Sequence, residues 1–465
     1  MNMINVRRLA VMTFLGAGML SDISAQDFSL QADTLNEARL PAQWDLQSCI
    51  DYALEQNITI RKNRVTAEST QINVKTAKAA LFPSLSFSTS QQVVNRPYQE
   101  TSSRVSGSEI ISSNSKTSYN GNYGLNASWT IYNGSKRLKT LKQERLNNQV
   151  AELDVATSEN TIKESIAQIY IQILYAAESV RVNENTLQVS IAQRDRGQEL
   201  LNAGSIAKSD FAQLEAQVST DRYQLVTAQA TLQDYKLQLK QLLELDGENE
   251  MNVYLPKLSD ENVLAPLPAK KDVYVSALAI RPEIEASKLN VEASELGIDI
   301  AKSSYFPTIS LSAGIGTNHT SGSDFTFGEQ VKNGWNNSIG LSVSVPIFNN
   351  RQTKSAVQKA KLQRETDMLS LLDEQEALYK TIESLWLDAN SAQQRYAAAN
   401  EKLRSTQISY DLISEQFNLG MKNTVELLTE KNNLLQAQQE QLQAKYMAIL
   451  NTQLLKFYQG DKLTL

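Results

Sequence analysis

Residues 76–88 read TAKAALFPSLSFS, and residues 300–312 read IAKSSYFPTISLS. In both stretches a Phe-Pro pair closes a helix-forming segment, because proline disfavours the helical conformation of the residue before it, and an alternating segment follows. A second pair of similar stretches lies further along the chain, GLNASWTIYNG at 124–134 and GLSVSVPIFNN at 340–350. The two pairs recur in the same order, so the sequence predicts an internal duplication.

The duplication divides the chain into two structural repeats. We expect the first over residues 26–245 and the second over residues 273–458, with an equatorial linker at 246–272 and a C-terminal tail at 459–465. Each repeat is predicted to contain a helix, a strand, a loop, a second strand, a long helix, a glycine turn and a further helix. The predicted fold class is therefore mainly α with a small β part.

Alternation of apolar residues with Ser, Gly, Asn or Thr marks four segments, at about 84–94, 119–132, 308–317 and 338–348. Each has the length and pattern of a transmembrane β-strand, with one face suited to lipid and the other to water. A half-buried sheet of a soluble protein gives the same alternation, but the Ser- and Gly-rich polar faces favour the membrane. The predicted lipid-facing side is represented by Phe87, Leu125, Trp129, Leu311, Leu341 and Val343.

Four strands are too few to form a closed barrel. An open sheet in hydrocarbon leaves the N–H and C=O groups of its edges without partners, so the sheet must close. Two copies would supply about eight strands, whose interior is filled by side chains, whereas three would supply about twelve and leave a lumen. The sequence therefore predicts an oligomer, and a channel favours three copies.

Two long parts of the chain lack the residues that helices exclude most strongly. Residues 98–255 and 347–465 contain no proline, and glycine is absent from most of both, so very long helices are expected. The predicted turns between them lie at 202–206 and 418–423. A seven-residue apolar repeat predicts a left-handed coiled coil. It is formed by Val218, Leu225, Leu232 and Leu239, and again by Leu428, Leu435, Leu442 and Ile449.

Composition excludes several classes of function. The net charge is −6, from 45 Lys and Arg against 51 Asp and Glu, so we expect no nucleic-acid partner. One cysteine and one histidine cannot make an intrachain disulfide, a Cys-based metal site or a multi-His site. We therefore expect no cofactor, no metal and no enzymatic activity. Cys49 is predicted to be a small buried side chain, and His319 to be a solvated surface residue.

Residues 1–25 are predicted to be a secretory signal peptide. Arg7 and Arg8 precede an apolar run from Leu9 to Leu20, which is too short to span a membrane, and Ala25 follows a small residue at the expected cleavage site. After this run the sequence contains no apolar stretch of about 18 residues, which disfavours a helical membrane protein. We expect the mature chain to work in the bacterial envelope.

The doubled Phe-Pro-strand pattern resembles the TolC family of outer membrane efflux proteins. So do the two glycine-turn hairpins, LNAGSIAKSDF at 201–211 and FNLGMKNTVELL at 417–428. The resemblance covers roughly residues 40–458. It implies a homotrimer in the bacterial outer membrane, with a twelve-stranded transmembrane β-barrel continued by a periplasmic α-helical coiled-coil barrel. It also implies a periplasmic adaptor protein and an inner-membrane pump of the RND, MFS or ABC type as partners, besides outer membrane lipids.

The resemblance further implies roles for residues at the two glycine turns. Gly204 and Gly420 match the periplasmic tips that adaptors contact. Asp210 and Lys422 match positions where some members pair opposite charges between neighbouring tip hairpins, and Glu426 matches a ring of carboxylates at the constriction. The implied aperture residues are Asp210, Phe417, Lys422 and Glu426.

Two functions remain open from the sequence. The first is a passive outer membrane channel of a tripartite efflux or type I secretion system, since the chain has no Walker-type phosphate loop to supply energy. The second is a non-conducting periplasmic coiled-coil protein that bridges the layers of the envelope. Ion conductance would separate them. The cargo, whether drug, metal, dye or polypeptide, cannot be read from the residues.

Overall fold

The computed structural model of the chain describes residues 41–98, 102–106, 109–113, 116–246, 251–256, 263–321 and 325–464. The predicted signal peptide lies outside these residues. The chain divides into two compact units. In the described part of the smaller unit, Trp44 forms an isolated parallel bridge with Val253, and its N–H donates to the carbonyl of Asn252 over 2.8 Å. The larger unit contains all the elements that follow.

The elements of the first half begin with two helices, α1 (Leu46–Gln56) and α2 (Ile58–Ala79), and a strand, β1 (Ser84–Asn95). A small hairpin, β2 (Ser102–Ser106) and β3 (Glu109–Ser113), precedes the long strand β4 (Thr117–Asn133). Two long helices complete this half, α3 (Lys136–Asn202) and α4 (Lys208–Leu242).

The second half follows the same order. Helices α5 (Lys270–Ile280) and α6 (Pro282–Ser303) lead into strand β5 (Thr308–Thr320). A short helix α7 (Phe327–Asn333) precedes β6 (Asn336–Ser344), and the chain ends in α8 (Gln352–Asn418) and α9 (Thr424–Gln459). Helices α3 and α8 each have 67 residues. At a rise of 1.5 Å per residue, each is about 100 Å long.

Four strands form one antiparallel sheet in the order β1-β4-β5-β6. The register pairs Phe87 with Leu125, Trp129 with Leu311, and Leu311 with Leu341. Since directly opposed residues of neighbouring strands point to the same side, the residues predicted to contact lipid share one face of the sheet. The opposite face carries small polar residues, such as Ser84 and Ser128.

The end of β6 differs from the sequence prediction. The alternating pattern predicts a strand to residue 348, but β6 ends at Ser344. Pro346 explains the difference, because proline has no N–H to donate to a neighbouring strand and restricts the residue before it.

Each half turns from its last strand into its longest helix through two left-handed residues. In the first half these are Gly134 and Ser135, with φ of 65° and 63°; in the second they are Asn350 and Arg351, with φ of 50° and 65°. A Cβ atom at residue 134 would lie 2.7 Å from the carbonyl oxygen of Ser303, so only glycine fits there.

The helices that directly precede or follow the sheet strands in the chain pack side by side in the same order as those strands. Contacts join α2 to α3, α3 to α6, and α6 to α8, so α2 and α8 are the two edges of this helical layer. Further along, α3 pairs with α4 and α8 pairs with α9, and α9 packs against α3. None of the helices in the described ranges is both long enough and apolar enough to cross a membrane.

Candidate functional site

The turn between α3 and α4 is a glycine C-cap. Gly204 has a φ of 74° with open space around it, and its N–H donates to the carbonyl of Leu201 over 3.0 Å. The N–H of Ser205 reaches back to the carbonyl of Leu200 over 2.8 Å. These bonds satisfy the last carbonyls of the helix, and glycine takes the left-handed position without strain.

The turn between α8 and α9 repeats this geometry. Gly420 has a φ of 72°, its N–H donates to the carbonyl of Phe417 over 2.9 Å, and the N–H of Met421 donates to Gln416 over 2.9 Å. Both glycine turns were predicted, and corresponding residues of the two turns form the same two backbone hydrogen bonds. Each long helix therefore reverses direction at a short, open tip.

The start of α9 is fixed by a capping box. The side chain of Asn423 accepts the N–H of Glu426 over 2.9 Å, and the Glu426 carboxylate accepts the N–H of Asn423 over 3.2 Å. The Nζ atom of Lys422 lies 2.5 Å from the other oxygen of the same carboxylate. The hydrogen bond from Lys422, followed by that from the Asn423 backbone, lowers the pKa of Glu426 below its usual value of 4.5.

Asp210 and Phe417 occupy different positions from the Lys422–Glu426 pair. The Asp210 carboxylate accepts the N–H of Ala207 over 3.3 Å and so caps the start of α4. Phe417 lies in the last turn of α8 and is only 3% exposed. Within the part of the chain that the structure describes, Lys422 forms its ion pair with Glu426, and Asp210 forms none. A pair between Asp210 and Lys422 stays a prediction for the assembled protein.

A buried charged cluster lies between the two hairpins, and the sequence analysis missed it. Lys431 of α9 donates to the carboxylate of Asp221 in α4 and to the hydroxyl of Ser190 in α3, and Ser190 donates to the same carboxylate oxygen. Gln217 donates to the other oxygen over 2.9 Å. Lys431, Asp221 and Ser190 are 3%, 1% and 2% exposed.

Burial dominates the electrostatics of this cluster. Desolvation lowers the pKa of Lys431 below its usual value, and the hydrogen bond and charge of Asp221 oppose that shift. A sequence signal for the cluster exists. Asp221 follows Val218 by three residues and Lys431 follows Leu428 by three, so both charges occupy the second core position of their heptads.

Two residues singled out for their chemistry lie in unreactive surroundings. Cys49 is fully buried, as predicted, and burial raises the pKa of its thiol to about 12. The prediction of a solvated His319 was wrong, because its ring packs against Tyr119, Tyr123 and Phe327, with centroids 5.0–5.9 Å away. Among the described residues, no group of three His, Cys, Asp or Glu side chains could hold a metal ion.

Comparison with known proteins places this geometry in a family. Residues 49–244 and 273–460 match the sequence model of the outer membrane efflux protein family. The chain belongs to that family. The two matched segments correspond to the two halves described above, which confirms the resemblance that the glycine turns and Phe-Pro pairs indicated.

Individual relatives agree with this assignment. The chain is 26% identical over 294 residues to the outer membrane efflux protein BepC of Brucella suis biovar 1, and the match covers 63% of this chain and 61% of that protein. It is 23% identical to the outer membrane protein TolC of Escherichia coli K12, covering 88% of this chain and 80% of that protein.

Solved structures share the fold. A structure of CusC superposes with a TM-score of 0.77 at 19% identity, covering 90% of this chain and 93% of that chain. The outer membrane protein VceC of Vibrio cholerae superposes with a TM-score of 0.74 at 16% identity, covering 90% and 97%. By family the chain is therefore an outer membrane efflux protein, and it shares the fold of these solved outer membrane proteins.

Proposed function

We propose that three copies of this chain close into one passive channel, in which twelve strands form the wall in the outer membrane and the helices form a periplasmic tunnel. The observation that carries the proposal is that the sheet and the helical layer end at the same two edges. Strands β1 and β6 are the sheet edges, and the helices that connect to them, α2 and α8, are the edges of the helical layer.

The strand edges support closure by further copies. Among the described residues of a single chain, β1 and β6 each pair on one side only, which leaves a row of backbone donors and acceptors that hydrocarbon cannot satisfy. Pairing β1 of one copy with β6 of the next satisfies both rows. Because the two edges differ, the contact is heterologous and must close into a ring.

The helix edges support the same closure. Helix α2 exposes an apolar stripe at seven-residue spacing, Ile58, Val65 and Ile72, and each of these side chains is more than half exposed. Helix α8 exposes Leu362 and Leu369, again seven residues apart and more than 60% exposed. Seven-residue stripes are the pattern of helices that pack as coiled coils, so each stripe fits the opposite edge of a neighbouring copy.

The glycine turns form the periplasmic entrance in this assembly. We assign the aperture to Asp210, Phe417, Lys422 and Glu426, and the contact with a periplasmic adaptor to the turns at Gly204 and Gly420. Beside Gly420, the side chains of Leu419 and Met421 are each 70% exposed, which offers an apolar surface at the very tip.

The function of the assembly is conduction without catalysis. Energy would come from an inner-membrane pump of the RND, MFS or ABC type, joined through the adaptor, in an efflux or secretion system. Relatives named for such work include a toxin and drug export protein of Aggregatibacter actinomycetemcomitans and the alkaline protease secretion protein AprF of Pseudomonas aeruginosa. Small polar side chains on one sheet face suit a wet lumen.

Two measurements on the purified protein test the proposal. We expect heat-modifiable trimers in outer membrane fractions, and we expect those trimers to conduct ions in planar lipid bilayers. A monomer that does not associate with the membrane, or a trimer that inserts without conducting, would contradict the channel. The second outcome would favour the alternative of a structural coiled-coil protein that bridges the envelope.

A further inference from the structure

The buried cluster of Lys431, Asp221 and Ser190 lies close to the tip. Counted at 1.5 Å per residue, Lys431 is about 10 Å from the start of α9, and Asp221 is about 20 Å from the start of α4. Ser190 is about 18 Å from the end of α3. The cluster therefore joins the second hairpin to the first only a few helical turns behind the proposed aperture.

Every polar atom that defines the cluster has a partner. The Asp221 carboxylate accepts bonds from side chains on three helices, from Ser190 on α3, Gln217 on α4 and Lys431 on α9. The Ser190 hydroxyl donates a hydrogen bond to the carboxylate and accepts one from Lys431. A buried pair satisfied in this way is costly to break from one side, because the remaining charge would stay in a dry environment.

Other polar contacts between the first turns of α9 and the first hairpin are few and weak. Among the residues that the structure describes there, Gln217 reaches Asn432 over 3.4 Å. Side-chain packing alone tolerates small slides of one helix along another, whereas a satisfied ion pair specifies a single register. Lys431 is thus the residue that fixes where α9 begins relative to α3 and α4.

We propose that Lys431 is a positioning residue of the channel entrance. Through Asp221 and Ser190 it holds the first turns of α9 in one register on the α3–α4 hairpin of the same chain. Those turns carry Glu426 beside Lys422, so the cluster sets the position of the aperture charges without touching cargo. The inference rests on the proposed channel function.

The test compares resting conductance and thermal unfolding of four trimeric variants in planar bilayers and in detergent. Lys431→Met and Asp221→Leu each leave one buried charge without its charged partner, while the double variant Lys431→Met/Asp221→Leu leaves no charge at the site. The matched control is Lys402→Met, which breaks an exposed ion pair of 2.7 Å between Lys402 of α8 and Glu440 of α9. We expect a severalfold rise in resting conductance for each single variant and also for the double variant, because packing alone holds the register in all three. Lys402→Met should conduct at the wild-type level.

A purely structural role predicts another pattern. If Lys431→Met lowered the unfolding temperature and left resting conductance at the wild-type value, the positioning role would be wrong. Should the single variants fail to assemble, Gln217→Leu removes one hydrogen bond to the carboxylate and keeps both charges. Assembled Gln217→Leu trimers should show a smaller rise in conductance, and an unchanged value would count against the proposal. A wild-type trimer that does not conduct would instead refute the channel itself.

Discussion

Glu426 takes part in two polar interactions at the turn between α8 and α9. Its carboxylate both completes the capping box at the start of α9 and receives the ammonium group of Lys422. Both interactions need the ionised form, which is why the pKa of Glu426 lies below 4.5. The stabilisation that they contribute is therefore present above pH 4.5 and is lost as the pH falls through the lowered pKa of the folded state.

The variant Glu426→Gln tests this assignment. Glutamine keeps an acceptor for the Asn423 N–H but removes the charge, so the variant should unfold at a lower temperature than the wild type at pH 7. The difference in unfolding temperature between the variant and the wild type should shrink as the pH falls below 4.5. Thermal unfolding followed by circular dichroism across this range measures it. Glu415→Gln, which removes an exposed carboxylate from the last turn of α8, should show no such narrowing; a constant gap for Glu426→Gln would contradict the assignment.

Gly420 gives a second prediction for single residues. Its surroundings are open, so alanine meets no atom there and the cost is that of the left-handed backbone alone, about 1–2 kcal/mol. Gly420→Ala should therefore increase amide hydrogen exchange in the tip turn. Gly328→Ala is the control, because residue 328 also has open space but lies in α7 without a positive φ. Faster exchange around residue 328, or unchanged exchange at the tip, would argue against this account.

Some residues of the candidate site could be predicted from the sequence, and others could not. Gly204 and Gly420 could be predicted, since glycine between two long apolar repeats has few other roles. The pairing of Lys422 with Glu426 could not, because the choice between partners depends on which side chains the capping box brings within reach. Asp221 and Lys431 escaped because charged residues on a largely polar helix are usually solvated, and only tertiary packing shows that these two share a dry interface.

Packing between the long helices depends on a few small residues. Gly197 lies in the interior of α3, where glycine costs helix stability, yet a Cβ atom there would lie 2.3 Å from Cδ1 of Leu214. Leu214 of α4 is 1% exposed. The glycine therefore lets α3 and α4 approach closely near the tip, and its loss of helix propensity is offset by the burial of Leu214.

Two glycine-to-alanine changes should shift the free energy of unfolding in opposite directions. We expect Gly197→Ala to destabilise the protein by about 1–3 kcal/mol, because the added methyl group overpacks Leu214. Gly297→Ala should instead stabilise it by about 0.5–1 kcal/mol, since residue 297 is also inside a helix but its Cβ would meet Gln143 at an ordinary 3.5 Å. Denaturant unfolding of both variants decides the matter, and a shift of the same sign for both would refute the packing argument.

The elements themselves were largely predictable, with errors at their ends. Proline and glycine placement reveals the long helices, and period-two alternation reveals the four strands. The end of β6 was misjudged because alternation continues past Pro346, where backbone pairing stops. Helix α7 was not predicted, since a seven-residue helix is too short to show periodicity.

At the scale of the whole molecule, the proposed trimer makes a testable demand on helix α2. In that assembly the exposed stripe of α2 is buried by the neighbouring copy, so a charge placed in it should prevent closure of the ring. We expect Ile72→Glu to abolish heat-modifiable trimers and conductance, whereas Gln71→Glu, at the next exposed position of the same helix, should leave both unchanged. Wild-type assembly of the Ile72→Glu variant would show that this stripe is not an interface.

The two halves of the chain carry hairpins of matched length, 67 and 35 residues in one and 67 and 36 in the other. In the proposed assembly, the matched lengths place the two glycine turns at the same level. Deleting seven residues from both arms of one hairpin alone would retract its turn by about 10 Å and leave an uneven rim, even though each coiled coil keeps its phase. Deleting them from all four arms would shorten the conduit while preserving a level rim. Lineages of such proteins should accordingly gain or lose helical length in paired steps, one in each half.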